Sequence, residues 1–205
     1  MIAIAVTGGA ACGKSRFCRS FVEALPEGTC SWFCSDQVVA ELLKEDAILR
    51  RVRELKGGSS VFEEGLLNRA SLRKLVFENS EFREKLEALL HPFVLERAES
   101  FREKRLGQRA IVLLEVPLLY EVEFPVSRDI ELVVAASRAT QIKRIMHQRK
   151  LSRKMGEQIL DSQIPIETKI SRSDLVVWND GSEDLFEAQT LHLAGRCQPY
   201  VANDR

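Results

Sequence analysis

The sequence predicts an α/β fold, a five-stranded parallel sheet flanked by helices. Short apolar runs bounded by polar or turn residues recur along the chain, longer segments with helical spacing separate them, and 45% of the 205 residues are hydrophobic. Strands that alternate with helices of this length favour a parallel sheet covered on both faces. We therefore expect a single domain over residues 1–205 with one sizeable core.

The strand candidates are short and rich in apolar residues, as strands buried inside a parallel sheet are. They are residues 2–6, 30–34, 110–115, 130–136 and 174–178. Two of the helical segments carry an apolar face. These faces comprise Phe17, Phe21, Val22 and Leu25 in the first segment, and Phe82, Leu86, Leu89, Leu90, Phe93 and Val94 in the second.

Three further segments carry local expectations. Residues 63–107 hold no strand candidate and are predicted to be a helical insertion, in which Pro92 should break or kink the long helical pattern. The charged residues 147–154 are the best candidate for a mobile element. The C-terminal residues 193–205 have weak helical periodicity, so we expect a frayed tail.

Composition argues against several classes of partner. Lysine plus arginine equals aspartate plus glutamate, at 30 each, so no overall basic field favours nucleic acid. The apolar runs are too short to span a bilayer and no signal peptide is recognisable, so we expect a cytoplasmic protein with no membrane partner. No obligatory protein partner is evident. The cysteines are odd in number and lack a CxxC pair, which predicts thiols in a reducing compartment; they are Cys12, Cys18, Cys30, Cys34 and Cys197.

A glycine-rich turn follows the first strand candidate. Residues 8–15, GGAACGKS, fit the pattern G-x-x-x-x-G-K-[ST] and lie between a predicted strand and a predicted helix. Such a loop wraps a phosphate with backbone N–H groups, Lys14 can reach the outer phosphates, and Ser15 would hold Mg²⁺. The sequence therefore predicts a nucleoside triphosphate site formed by Gly8, Gly9, Ala10, Ala11, Cys12, Gly13, Lys14 and Ser15.

Other motifs in the sequence, and its length, limit the classes of P-loop protein to which the chain can belong. No N-K-x-D guanine motif is present, which disfavours a GTPase, and the length disfavours a large ATPase. A small kinase needs a base for its acceptor. Asp36, at the end of the second strand candidate, is a candidate base or, alternatively, the N-cap of the next helix. Glu115 ends a buried run where an unpaired carboxylate is costly, so we expect it near the Mg²⁺ shell.

A charged stretch near the middle of the chain supplies cations. Residues 141–154, QIKRIMHQRKLSRK, carry Arg144, Arg149 and Arg153 along a predicted helix. They form either a solvated basic face or a lid that brings positive charge to the phosphates. The residues alone leave both alternatives open.

Beyond the loop, ordered segments resemble the dephospho-CoA kinase family. They are VTGGAACGKS, FCSDQVVAELL, GLLNRASLRKLVF, LEALLHP, LLEVPLLYE, QIKR, SQIPIETK and SDLVVWNDG, within residues 2–189. The resemblance implies a P-loop kinase fold with a nucleotide-binding core at 1–62 and 108–205, a helical substrate-binding insertion on the CoA side at 63–107 and a helical lid at 142–170. It also implies transfer of the ATP γ-phosphoryl group, with Mg²⁺, to the ribose 3′-hydroxyl of dephospho-CoA, the last step of coenzyme A synthesis.

The resemblance also assigns roles to residues. It implies that Asp36 is the base and that Lys14, Arg144 and Arg149 act on the transferred phosphoryl group. Asn179 would contact the nucleotide. The acceptor side would be formed by Asp36, Arg69, Arg73, His91, Glu115 and Leu118.

Several positions depart from the family pattern. Cys34 replaces an aspartate, Asn68 replaces the aspartate of a D-R pair, Glu115 replaces an aspartate, and Gln158 replaces a lid arginine. We hypothesise that Arg153 or Lys154 compensates for the lost lid charge. Two alternatives stay open, a kinase of another small acceptor such as a nucleoside monophosphate, and a nucleotide-binding module that has lost catalysis.

Overall fold

The computed structural model describes residues 1–202, except for the side chain of Arg149. The described strands are β1 (Ile2–Gly8), β2 (Cys30–Cys34), β3 (Phe62–Glu63), β4 (Leu66–Leu67), β5 (Ile111–Glu115), β6 (Ile130–Ala135) and β7 (Leu175–Trp178). Five of them form one parallel sheet in the order β2-β5-β1-β6-β7. The predicted fold class is confirmed, and each predicted strand lies within two residues of an observed one.

Helices separate most of the strands along the chain. They are α1 (Lys14–Glu23), α2 (Ser35–Leu42), α3 (Asp46–Glu54), α4 (Arg69–Glu78), α5 (Ser80–Glu103), α6 (Arg138–Arg149), α7 (Arg153–Asp161), α8 (Ile166–Arg172) and α9 (Glu183–Val201). A short 3-10 helix spans Gly58–Val61. No helix within residues 1–202 is long and apolar enough to cross a bilayer.

The main core lies between the sheet and the helices α1 and α9. Phe17 and Phe21, one turn apart on α1, are buried with their ring centroids 5.5 Å apart. Phe186 and Ala194 on α9 belong to the same buried cluster as the β1 and β6 side chains. The predicted apolar face of α1 therefore covers the sheet, and this fixes the start of α1 directly behind the end of β1.

The described residues separate into two compact units, one of residues 1–35 with residues from 98 onward, and one of residues 36–97. The second unit has its own buried side chains, among them Ile48, Val52, Val61, Leu72 and Phe82. It also contains the β3–β4 hairpin, which the sequence did not predict. Strands of two residues are too short for an alternating pattern, and the signal was confined to the turn residues Glu64 and Gly65, which both have positive φ.

The predicted break at Pro92 is absent from α5, and the expectation of a frayed chain end was wrong. Helix α5 continues through Pro92, because Pro92 and Ala88, whose carbonyl loses its partner, are both exposed and water can replace the missing bond. The predicted frayed tail is the end of α9 as far as Val201, which is buried in the core. The Met1 ammonium donates a 2.6 Å hydrogen bond to Tyr200 Oη, which ties this end to β1. Residues 203–205 lie outside the described part.

One edge of the sheet is strand β7, whose residues Leu175, Val176 and Trp178 are exposed. At this edge, the side-chain amide of Gln189 forms hydrogen bonds with the backbone of Trp178. Gln189 Nε2 donates to the Trp178 carbonyl at 2.9 Å, and the Trp178 N–H donates to Gln189 Oε1 at 3.2 Å. Both polar groups of one edge residue are therefore satisfied by a single side chain from α9.

Candidate active site

The glycine-rich loop connects β1 to α1. At two of its glycines, the backbone lies very close to atoms of other segments. Gly8 has φ 144°, and a Cβ there would lie 2.0 Å from the Val134 carbonyl oxygen on β6. Gly13 has φ 98°, and a Cβ there would lie 2.5 Å from Asn179 Nδ2. Only glycine fits both positions. The loop therefore needs its first and last glycines for its path through the fold as well as for any ligand.

Side chains donate hydrogen bonds to the backbone carbonyl groups along this loop. Lys14 Nζ donates to the carbonyls of Gly8 (3.2 Å) and Gly9 (2.9 Å). The next three carbonyls accept from residues outside the loop: Ala10 from Gln141 at 2.9 Å, Ala11 from Arg144 at 3.4 Å, and Cys12 from Asn179 at 2.8 Å. These donors offset the partial negative charges of successive carbonyls, which would otherwise repel a phosphate.

Ser15, in the first turn of α1, contacts the acid at the end of β5. Ser15 Oγ donates to Glu115 Oε1 at 2.7 Å, and Trp32 Nε1 donates to Glu115 Oε2 at 3.1 Å. Glu115 is only 2% exposed, and its backbone lies in register with Val6 on β1 and Cys34 on β2. The buried carboxylate is therefore held by two hydrogen bonds beside the phosphate loop.

This arrangement fits Mg²⁺. The cation prefers oxygen ligands and usually binds through one or two protein side chains together with phosphates and water. Ser15 and Glu115 offer a hydroxyl and a carboxylate in contact. Within residues 1–202, no group of three or more His, Cys, Asp or Glu side chains forms a self-sufficient metal site. The residues present match a metal that is shared with a nucleotide.

Arg144 and Asn179 form a second group on the other side of the loop. Arg144 Nη2 donates to the carbonyl of Asn179 at 2.9 Å and to its Oδ1 at 3.2 Å. Asp180 follows; burial raises its pKa, but hydrogen bonds from the Ser137 backbone and side chain outweigh this and leave the pKa lowered. Burial raises the pKa of the Cys12 thiol, against an opposing effect of the Lys14 charge. Arg144, a predicted catalytic residue, and Asn179, a predicted nucleotide contact, thus both bond to the loop.

The predicted lid contains the end of α6, all of α7 and the start of α8. Arg149 is the last residue of α6, and its side chain lies outside the described part. Arg153 starts α7 and pairs with Glu157 at 2.9 Å, with 72% of the arginine side chain exposed. Gln158, at the position of the missing lid arginine, is exposed as well. The lid role of residues 142–170 stays a prediction.

The acceptor-side candidates other than Glu115 and Leu118 lie in residues 36–97. Asp36 is exposed in the first turn of α2. Arg69 begins α4 and donates to the Ala40 carbonyl at 3.0 Å, whereas Arg73 is exposed and His91 is half-buried on α5. Their catalytic and binding roles stay predictions.

The structure shows the local surroundings of Leu118 and of Asn68, one of the positions that depart from the family pattern. Leu118 is half-buried in the turn that follows β5. Asn68 caps α4, because its side chain accepts from the N–H groups of Ala70 and Ser71. This departure therefore keeps a helix cap, for which asparagine and aspartate are nearly equivalent.

Sequence reasoning gave no role to four residues that contact the loop or support it. Gln141 and Gln163 bond to Ala10, and Lys169 pairs with Glu121 at 2.7 Å in a buried position. The signal was present in part. The segments QIKR and SQIPIETK, which contain Gln141, Gln163 and Lys169, carried the family resemblance without an assigned function.

The parallel sheet, the phosphate loop and the Ser15–Glu115 contact define a P-loop nucleotide-binding enzyme of the small-molecule kinase class. A family model for dephospho-CoA kinase matches residues 2–184. The chain therefore belongs to the dephospho-CoA kinase family.

Individual relatives agree with this assignment. The dephospho-CoA kinase of Fusobacterium nucleatum is 30% identical over 90% of this chain and 93% of its own, and that of Bacillus cereus is 33% identical over 88% and 90%. A solved dephospho-CoA kinase from Campylobacter jejuni is 26% identical, with a TM-score of 0.59 over 96% of this chain and 97% of its own. A shikimate kinase from Acinetobacter baumannii, 15% identical with a TM-score of 0.53 over 96% and 94%, shares the fold.

Proposed function

We propose that this protein transfers the γ-phosphoryl group of ATP to the ribose 3′-hydroxyl of dephospho-CoA. The observation that carries the proposal is the 2.7 Å contact between Ser15 Oγ and Glu115 Oε1 at the start of α1, in a chain of this family. It puts two oxygen ligands beside a loop built to bind phosphate. A hydroxyl and a carboxylate at this place can bind the Mg²⁺ that phosphoryl transfer from ATP uses.

Lys14, Ser15 and Glu115 act on the phosphates in this proposal. Lys14 leaves the loop carbonyls to which it donates and binds the outer phosphates of ATP. Ser15 and Glu115 would hold Mg²⁺, which, when bound, neutralises charge on the β- and γ-phosphates. Glu115 thereby serves the metal, as its position at the end of a buried strand predicts, rather than the acceptor, as the family resemblance implies.

Asp36 is the proposed base. It lies directly after β2, at the carboxyl end of a parallel strand, where sites of doubly wound folds collect. A carboxylate there orients the acceptor hydroxyl and accepts its proton during in-line transfer, with no phosphoenzyme. Arg69, Arg73 and His91 would bind the anionic groups of dephospho-CoA, and Leu118 would contact the same substrate.

The arginines of α6 complete the proposal. Arg144 is already tied to Ala11 and Asn179, so it contributes positive charge at the loop from a fixed position. Arg149, at the end of the same helix, would belong to the part of the lid that closes over the phosphoryl group and excludes water.

We place the reaction in the cytoplasm, as the thiols of the sequence suggest.

The test is a coupled assay for ADP release with ATP and Mg²⁺. Dephospho-CoA, adenosine, AMP and no acceptor are compared side by side, and the product is weighed by mass spectrometry. ADP release that depends on dephospho-CoA, with a product heavier by one phosphate, is the expected result. ADP release with AMP alone would move the function to another small kinase, and binding of ATP without turnover on any acceptor would indicate a binding module.

A further inference from the structure

Both polar groups of one loop residue, Ala10, are held by glutamines from outside the loop. Gln141 Nε2, on α6, donates to the Ala10 carbonyl at 2.9 Å. Gln163 Oε1, after α7, accepts from the Ala10 N–H at 3.0 Å. The two amides therefore act in opposite directions on the same residue, one as a donor and the other as an acceptor.

Each glutamine is itself fixed by its surroundings. Gln141 is 3% exposed, and a Cβ on Gly9 would lie 2.1 Å from its Nε2, so the second glycine of the loop leaves the space that this amide occupies. Gln163 is half-buried, and the backbone beside it is held because the Ile164 N–H donates to Glu121 Oε1 at 3.1 Å. Ala10 is thus bonded to one buried side chain and to one whose adjacent backbone is held.

We propose that Gln141 and Gln163 are positioning residues that hold the phosphate loop in its binding conformation before the nucleotide arrives. A loop of glycine and alanine has many accessible conformations, and ordering it on binding would weaken nucleotide affinity. Two hydrogen bonds to Ala10 fix the peptide groups on both sides of it. The inference rests on the proposed function only in that the ligand is a nucleoside triphosphate.

Simple truncation is a weak test of this idea. Gln141 and Gln163 both line a cavity of about 270 Å³ together with Gly9. Shortening either side chain would open space for water, which can replace a lost hydrogen bond at small cost. The direction of each bond gives a sharper test, because a change from glutamine to glutamate keeps the shape and keeps an acceptor but removes the donor.

The experiment compares Gln141→Glu with Gln163→Glu. Both variants add one carboxyl group beside Ala10, but only Gln141→Glu removes a side-chain donor that bonds to the loop. The dissociation constants of ATP and ADP with Mg²⁺ are measured by calorimetry without acceptor. We expect Gln141→Glu to weaken binding about tenfold more than Gln163→Glu does. Gln108→Glu, at an exposed position, is the control.

Steady-state kinetics separate positioning from general damage. The KM for ATP should rise in Gln141→Glu while the KM for dephospho-CoA stays unchanged. Equal dissociation constants in the two glutamate variants would overturn the proposal. If the enzyme does not phosphorylate dephospho-CoA, the comparison of nucleotide affinities still decides the role of the glutamines.

A third variant covers the case in which buried Gln141→Glu fails to fold. Gln163 is only half-buried, so Gln163→Met should fold while removing the acceptor of the Ala10 N–H. We expect its nucleotide affinity to fall several-fold below that of the unchanged protein at an unchanged melting temperature. Affinity equal to that of the unchanged protein would overturn the proposal.

Discussion

Ser15 Oγ donates to Glu115 Oε1 across 2.7 Å and so joins the last residue of the phosphate loop to the last residue of β5. The contact follows from the sheet, because Glu115 lies in register with Val6, two residues before the loop begins at Gly8. Trp32, on the neighbouring strand, holds the other carboxylate oxygen. The acid is thus oriented before any metal binds.

Glu115→Gln should raise the Mg²⁺ concentration needed for half-maximal turnover. The amide keeps the size of the side chain but removes the charge that the metal needs, and losses of about 10–100-fold in metal affinity or activity are typical for such supporting groups. Turnover is measured over a Mg²⁺ titration at saturating ATP. Glu103→Gln, at the exposed end of α5, is the control. An unchanged Mg²⁺ requirement would contradict the proposed role.

Asp36→Asn should lower kcat by about 10²–10⁴-fold, the usual contribution of a general base. ATP affinity should be retained, because the substitution leaves the phosphate loop intact. Asp46→Asn is a matched control, since Asp46 also lies exposed in the first turn of a helix, α3. If Asp36 only stabilises its helix, both variants will show the same small fall in melting temperature and normal turnover.

Lys169→Met should destabilise the protein strongly. Lys169 is fully buried and pairs with Glu121, so its loss leaves a carboxylate unpaired, at a cost of about 3–5 kcal/mol. Adding Glu121→Gln should restore most of the melting temperature, because the amide oxygen can still accept from Ile164. Arg153→Met, which breaks an exposed pair, should change the melting temperature little.

Thermal unfolding of these three variants and of the unchanged protein tests the prediction directly. A double variant that melts as low as Lys169→Met would show that the unpaired charge is not the cause. In that case the lost hydrogen bond from Lys169 Nζ to the Pro117 carbonyl, 3.2 Å long, would be the better explanation.

Cys30 should make the protein sensitive to alkali. Burial, with a smaller effect of Cys197, raises the pKa of the Cys30 thiol from 9.0 to about 12. Above pH 9 the unfolded chain therefore loses this proton while the folded chain keeps it, so stability falls as pH rises from about 9 towards 12. In Cys30→Ala the melting temperature should decline less steeply between pH 8 and about 11. Parallel curves for the two proteins would contradict the assignment.

The central strands of the sheet, β1, β5 and β6, could be predicted because they are buried on both faces. A strand such as Ile111–Glu115 reads as an unbroken apolar run that ends at a polar or turn residue, so its limits are visible in the sequence. The β3–β4 hairpin has no such run. The course of the chain through Pro92 and Pro199 depends on exposure and on packing against the core, which local propensities do not contain.

The candidate site divides in the same way. Lys14 and Ser15 belong to a contiguous motif, and Glu115 stood out as an acid in an apolar strand. Gln141 and Gln163 lie in segments that resemble the family, but nothing in those segments indicates the contact, because their partner Ala10 lies 131 and 153 residues away along the chain. Contacts of that range become visible only when the sheet order and the helix positions are known.

The amide of Gln189 on the Trp178 backbone has a consequence for the protein at high concentration. An exposed edge strand with apolar side chains is a template on which a strand of another molecule can add, and such addition starts aggregation. Gln189 occupies the N–H and the carbonyl that an incoming strand would need at Trp178. This side chain of α9 thus blocks the addition of a strand at Trp178 and thereby opposes aggregation.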